Sequence, residues 1–202
     1  MKTNRVRRLL TLSASMLGIA LLASGCTAAA SGQGASESAA AYTVTDAMGE
    51  VEFAGAPQRV VALDSPALDA LIALGVTPFG ASEVREGTGF PDYLAADLSG
   101  TESVGTIMEP NLEAIAQLDP DLILGSKVRH EEVYDQLSAI APTVFAADSG
   151  TNWTEQATLT AAAVDRAEEM DTLLDDLSSR ASAVGAEVGA KGTTASMVRF
   201  RT

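Results

Sequence analysis

Reactive and basic side chains are scarce in this chain. Its 202 residues hold one cysteine, one histidine, one tryptophan and 13 Lys plus Arg against 27 Asp plus Glu. A single cysteine, Cys26, excludes an intrachain disulfide. One histidine, His130, excludes the His/carboxylate cluster that a direct zinc or manganese receptor needs. It also leaves one candidate for the base of a secreted hydrolase, and no G-x-S-x-G stands with it. No Walker or G-x-G-x-x-G signature occurs, and Gly87-Thr88-Gly89 is a loop rather than a strand-to-helix turn, so dinucleotide binding is rejected. The net charge of −14 argues against nucleic acid and against electrostatic docking on anionic lipid.

The one long apolar run, Leu9 to Ala23, has 15 residues. A spanning helix needs about 20. With the basic Lys2, Arg5, Arg7 and Arg8 before it, the run fits a secretory signal peptide over residues 1–25. It ends Leu22-Ala23-Ser24-Gly25-Cys26. Small residues directly before a Cys resemble the lipobox of bacterial lipoproteins, although Ala23 stands where Leu is usual. The resemblance implies cleavage before Cys26 and a lipid anchor on its sulfur; a plain free thiol is the alternative. Cleavage would remove four basic and no acidic residues, leaving nine against 27 and a charge of −18. Residues 26–41 are Ala, Ser and Gly with little else, a flexible tether that can bury no core.

From Tyr42 the pattern changes. Tyr42 and Val44, then Val51 and Phe53, flank a turn at Met48-Gly49 and predict a hairpin. Arg59 to Leu63 reads as a buried strand. Asp64-Ser65 and Pro66 start a helix with Leu68, Leu71, Ile72 and Leu74 on one face, and Gly75 closes it. Val76 to Ala81 reads as a strand despite Pro78, and Ser82 to Asp97 as a loop. Pro110 and Asn111 open a helix carrying Leu112, Ile115 and Leu118, which Asp119-Pro120-Asp121 breaks. Leu122-Ile123-Leu124 is a buried strand ending at Gly125, Ser126 to His130 a basic loop, Val133 to Ala141 a helix and Val144-Phe145 a strand. Strands alternating with helices predict an α/β lobe over 42–151, with a parallel sheet flanked by helices.

Between Cys26 and Gly150 the basic side chains are Arg59, Arg85, Lys127 and Arg129. Arg59 precedes a strand, whereas the other three follow strands. They are either solvated loop charges or the grip on an anionic ligand at the carboxyl edge of the sheet. Asn152 to Glu155 resembles a capping box, and one long helix is predicted over 152–186. At about 30 residues it would span roughly 45 Å, a strut between lobes. Met197 to Phe200 begins a strand within 187–202. No partner follows it, so the expectation is a chain cut short at the start of a second α/β lobe.

Pro57-Gln58-Arg59-Val60-Val61-Ala62-Leu63, Pro110-Asn111-Leu112-Glu113, Leu118-Asp119-Pro120-Asp121-Leu122-Ile123 and the run from Ser126 to Val144 together resemble iron-siderophore substrate-binding proteins of ABC importers. The likeness is greatest to the ferric-citrate and hydroxamate branch. It implies a periplasmic-binding-protein-like fold of two α/β lobes joined by a helix, a monomeric binding protein without enzymatic activity or resident cofactor, and a ferric siderophore in the cleft. It further implies that Glu113 docks on an arginine of the permease; its other reading is a first-turn Glu held by the helix dipole. An anionic ferric chelate suits Arg85, Lys127 and Arg129. Trp153 and Tyr93 either pack on the ligand or belong to the core, and His130 reads as a helix-start residue. The rivals are a haem- or cobalamin-binding member of the same fold, the hydrolase, and a purely structural lipoprotein.

Overall fold

The structure, a computed structural model, describes residues 40–150, 152–194 and 196. The signal peptide, Cys26, all but the last residues of the tether and the strand expected at Met197 lie outside the described residues.

Strands β1 (Tyr42–Thr45) and β2 (Glu50–Phe53) form the expected hairpin. Its turn is built by Asp46, whose Oδ1 accepts the Met48 and Gly49 N–H groups at 2.7 and 2.8 Å. The other oxygen accepts the Phe145 N–H at 2.6 Å, which ties the hairpin to the sheet.

The main sheet holds β3 (Val60–Ala62), β4 (Gly80–Glu83), β5 (Glu102–Thr106), β6 (Leu122–Ser126) and β7 (Thr143–Ala146). Its order is β5-β4-β3-β6-β7 and every pairing is parallel. Alternate residues feed two cores, as a sheet covered on both faces requires. Val60, Ala62, Leu122, Leu124 and Val144 pack with α1 (Ser65–Ala73) and α5 (Trp153–Ala163) on one side. Val61, Leu63, Ile123 and Phe145 pack on the other with Ile115 of α2 (Leu112–Gln117) and Leu137 of α4 (Tyr134–Ser138).

Two sequence motifs meet at the amino edge. The Asp121 carboxylate accepts the Gln58 and Arg59 N–H groups, each at 2.7 Å. The Arg59 guanidinium donates to the Leu118 and Asp119 carbonyls and lies 4.2 Å over the Phe79 ring. Pro-Gln-Arg-Val and Leu-Asp-Pro-Asp-Leu are therefore a structural clasp at the edge opposite Asp64 and Ser126.

Several expectations change, and one strand is new. The strand drawn from Val76 starts at Gly80, beyond the N–H-less Pro78; a Cβ on Gly80 would sit 2.5 Å from Leu118 Cδ1, so glycine alone fits there. Strand β5 was not legible: its sequence Glu-Ser-Val-Gly-Thr buries Val104 alone, and pairing with β4 decides its conformation. The basic loop is a short helix, α3 (Lys127–His130), followed by a 3-10 turn at Glu131–Val133.

The single helix over 152–186 is two, α5 and α6 (Ala167–Glu187). Asp165 breaks it at φ 58°, a left-handed conformation that Asp tolerates. Arg166 locks the corner: its N–H reaches the Ala161 carbonyl at 2.8 Å and its guanidinium the Leu74 carbonyl at 3.3 Å. Helix α5 packs on α1 and buries Ala157, Thr160, Ala161 and Ala163, so the unit drawn to end at 151 continues through it. Met170 is the buried residue of α6. Among the described residues no helix is long and apolar enough to cross a membrane.

Candidate functional site

From β3 the chain proceeds outward through β4 to β5, and β6 on the other side of β3 leads to β7. The order reverses between β3 and β6, and the crevice outside their carboxyl ends is where open α/β sheets place ligands. Asp64 follows β3 there, and Ser126 ends β6.

Asp64 has a side chain only 3% exposed. A carboxylate so buried is tolerable only with partners on both oxygens. Oδ1 accepts the Ser65 N–H at 2.9 Å and pairs with Arg129 Nη1, while Oδ2 accepts the Ser126 hydroxyl at 2.7 Å. The residue that caps α1 is thus also the anchor of α3. Sequence reading found the cap but not the anchor, because Arg129 lies 65 positions away.

His130 ends α3, stands as the cap residue of the 3-10 turn that follows, as its helix-start reading expects, and is fully buried. Its Nδ1 accepts the Ser126 N–H at 3.1 Å, and Nε2–H donates to the Ile107 carbonyl at 2.8 Å. The two bonds assign the neutral tautomer. Burial pushes the imidazole below its ordinary 6.5, against the pull of the Ile107 carbonyl and Asp64. The ring packs 5.8 Å from Phe145. A Cβ on Gly125 would stand 2.8 Å from Phe145 Cε1 and 3.0 Å from the imidazole, so that position admits glycine. With both nitrogens engaged inside the core, His130 offers no lone pair to a substrate, which removes the hydrolase reading's base.

Arg85, Lys127, Arg129 and Trp153 all follow carboxyl ends of strands, but they are not equivalent. Arg85 is exposed in the loop after β4. That loop is ordered by the Thr88 hydroxyl on the Arg85 carbonyl at 2.7 Å and by the Glu83 carboxylate on the Gly89 N–H at 3.2 Å. Hydrogen bonding from Ser103, ahead of weaker backbone contacts from the loop, holds the Glu83 carboxyl below the usual range. Lys127 lies 3.6 Å from Glu131 one turn on, a surface pairing worth little. Arg129 is committed to Asp64 through one nitrogen, with its side chain 31% exposed. The three cations read from the sequence thus stand in different surroundings. Two of them carry a carboxylate of their own, and what they present outward is residual N–H donors more than net charge.

Trp153, 53% exposed, begins α5 and lines a groove of about 400 Å³ with Pro66 and Ala70 of α1 and Met170, Leu174 and Leu177 of α6. None of Arg85, Lys127 and Arg129 lines that groove. Pro66 also borders a cavity of about 10 Å³ against Asp64, Ser126, Gln156 and Thr160, room for about one water. Tyr93 is exposed, and its hydroxyl donates to Asp69 Oδ1 at 2.7 Å; that bond, helped by burial, pushes the phenol up to about 12.

Glu113 is exposed in the first turn of α2, whose cap is Asn111 Oδ1 on the Ala114 N–H at 3.0 Å. Glu113 Oε1 is 3.5 Å from Gln117 Nε2. Among the described residues no group of three or more His, Cys, Asp or Glu side chains could hold a metal ion.

A five-stranded parallel sheet covered by helices on both faces defines an α/β lobe of the periplasmic-binding-protein type. The chain belongs to the periplasmic binding protein family, whose model matches residues 60–201. It is 45% identical over 160 residues to the probable siderophore-binding lipoprotein YfiY of Bacillus subtilis, covering 78% of this chain and 49% of that one. Over 139 residues it is 37% identical to the Fe(3+)-citrate-binding protein YfmC of the same organism, covering 68% and 44%. Among solved structures, that of Staphylococcus aureus SirA complexed with staphyloferrin B matches with a TM-score of 0.69 and 40% identity, over 74% of this chain and 51% of the other. The chain spans about half the length of the relatives it matches.

Proposed function

We propose that this protein binds a ferric siderophore outside the cytoplasmic membrane and hands it to an ABC importer. What supports this most directly is the likeness to a structure complexed with staphyloferrin B, taken with donors gathered at the carboxyl edge of the same sheet. Arg85, Lys127 and Arg129 donate to an oxygen-rich ferric chelate, and Trp153 supplies an apolar flank. The metal arrives inside its chelate, so no cofactor and no chemical step are required of the chain. Residues 42–151 with α5 form one wall of the binding unit. Cys26 carries the lipid anchor, and Glu113 docks on an arginine of the permease.

Titration of the full chain against ferric citrate, a ferric hydroxamate, haem and cobalamin, followed by the fluorescence of its one tryptophan, tests the reading. Haem or cobalamin binding without siderophore binding would overturn it. Charge-assisted bonds contribute about 1.5–3 kcal/mol each, so Lys127→Ala with Arg129→Ala should weaken siderophore binding on the order of a hundredfold. Glu113→Ala should leave affinity unchanged and lower uptake; the reverse result makes it a ligand residue. Cys26→Ser should empty the membrane-bound pool, and unchanged fractionation would exclude the anchor.

A further inference from the structure

Helix α3 has four residues and no side-chain cap at its start. Its own hydrogen bonds cannot aim Lys127 and Arg129, so their placement depends on ties to other segments. Asp64 supplies one tie, through Ser126 and Arg129. His130 supplies the other, and it reaches further. Beyond its bond to Ile107 lies a tight turn in which Thr106 and Glu109 exchange backbone bonds at 3.1 and 3.2 Å. Gly105 holds the turn at φ 93°, with no room for a Cβ: the Glu109 carbonyl would stand 2.7 Å away. Ile107 N–H donates to the Glu83 carbonyl at 2.9 Å, and Asn111 N–H to the Val104 carbonyl at 2.8 Å immediately before α2.

One fully buried imidazole thus bonds the cap of the basic helix with one nitrogen and the entry to the Glu113 helix with the other. We propose that His130 is a positioning residue that couples α3 to the turn leading into α2, so that displacement at either end is transmitted to the other. The assignment of α3 to the ligand and of Glu113 to the permease rests on the function proposed above; the mechanical coupling does not.

Two variants cut the latch at opposite ends. In His130→Asn the amide oxygen replaces Nδ1 and keeps the Ser126 bond, while the Ile107 bond is lost. In His130→Gln the amide nitrogen replaces Nε2 and the losses are reversed. Amide hydrogen exchange of the full chain, with and without ferric citrate, reads both ends. Coupling predicts that His130→Gln accelerates exchange at Ile107, Glu109 and Asn111 by about tenfold, although the bond between residue 130 and the Ile107 carbonyl survives. His130→Asn should do the same to residues 126–130. A disturbance confined to the severed end in both variants overturns the proposal. So does acceleration spread evenly through the sheet, which marks a merely structural residue. In the wild type ferric citrate should slow exchange at residues 106–111, an effect absent from both variants; binding that leaves these amides unchanged also overturns it. Ends that respond to each other in a chain that binds no ferric chelate would defeat the functional reading and leave the latch standing.

Discussion

The carboxyl edge of the sheet and the surface of α6 are built on opposite terms. At the edge, Asp64, Ser126 and His130 are buried polar groups whose partners all come from the chain itself. Along α6, Leu173, Leu177 and Val184 are exposed, and the described residues bury Met170 alone. Buried polar groups are costly unless every bond is made, so the edge holds a single arrangement. The helix surface is held in place by few packing contacts and is correspondingly tolerant. Rigidity is concentrated at the carboxyl edge of the sheet.

The sharpest way to break this contrast is through the core beneath the edge. Phe145 is fully buried and supports both His130 and Tyr134, at 5.8 and 5.1 Å between rings. Phe145→Ala should cost about 3–5 kcal/mol in urea unfolding; a loss near 1 kcal/mol would mean the two cores are loosely packed. Asp64→Ala strands Arg129 and the Ser126 hydroxyl and removes the α1 cap. Breaking a buried pair costs about 3–5 kcal/mol, and the partial exposure of Arg129 places this variant at the lower end. A loss under about 1 kcal/mol would show that the pair is replaced by solvent.

A smaller effect should follow pH. His130 is neutral when folded and free to protonate when unfolded, so below its ordinary 6.5 the unfolded chain binds more protons. Stability should therefore fall as pH drops from 6.5 towards the lowered folded-state value, and His130→Asn or His130→Gln should remove that share of the slope. Matching wild-type and variant slopes across this window would contradict the neutral tautomer. The smallest effect belongs to α6, where Leu177→Ala should change stability by less than about 0.5 kcal/mol. A loss like that of Phe145→Ala would erase the contrast.

The class of fold was legible because it depends on local pattern. Leu122-Ile123-Leu124 announces a strand covered on both faces, and Asp64 with Pro66 announces a helix start. What escaped was whatever depends on distant partners. The pairing of Arg129 with Asp64 was missed because Asp64 is 65 residues away. His130 read only as a helix-start residue because the Ile107 carbonyl reaches it from a segment 23 residues away. Strand β5 has only Val104 and Thr106 as branched residues and no aromatic, too weak a pattern to mark a strand, and the corner at Asp165 interrupts a periodicity that continues on both sides of it. An acidic residue directly after a buried strand was the one available hint of a polar anchor.

The parallel joint between β3 and β6 also governs how the fold can form. Val60 pairs with Leu122, 62 residues later, whereas Val61 finds Gly80 of β4 after 19. Loop closure must be completed before so distant a contact is rewarded, and topologies dominated by such contacts fold slowly. The β3–β4 arm must wait, its second edge open, until Leu122 to Ser126 arrive. Asp64 gains its hydroxyl and guanidinium partners only at that moment, so the polar anchor of the site is a late event on the folding path, and a kinetic probe at Ser126 should report the final barrier.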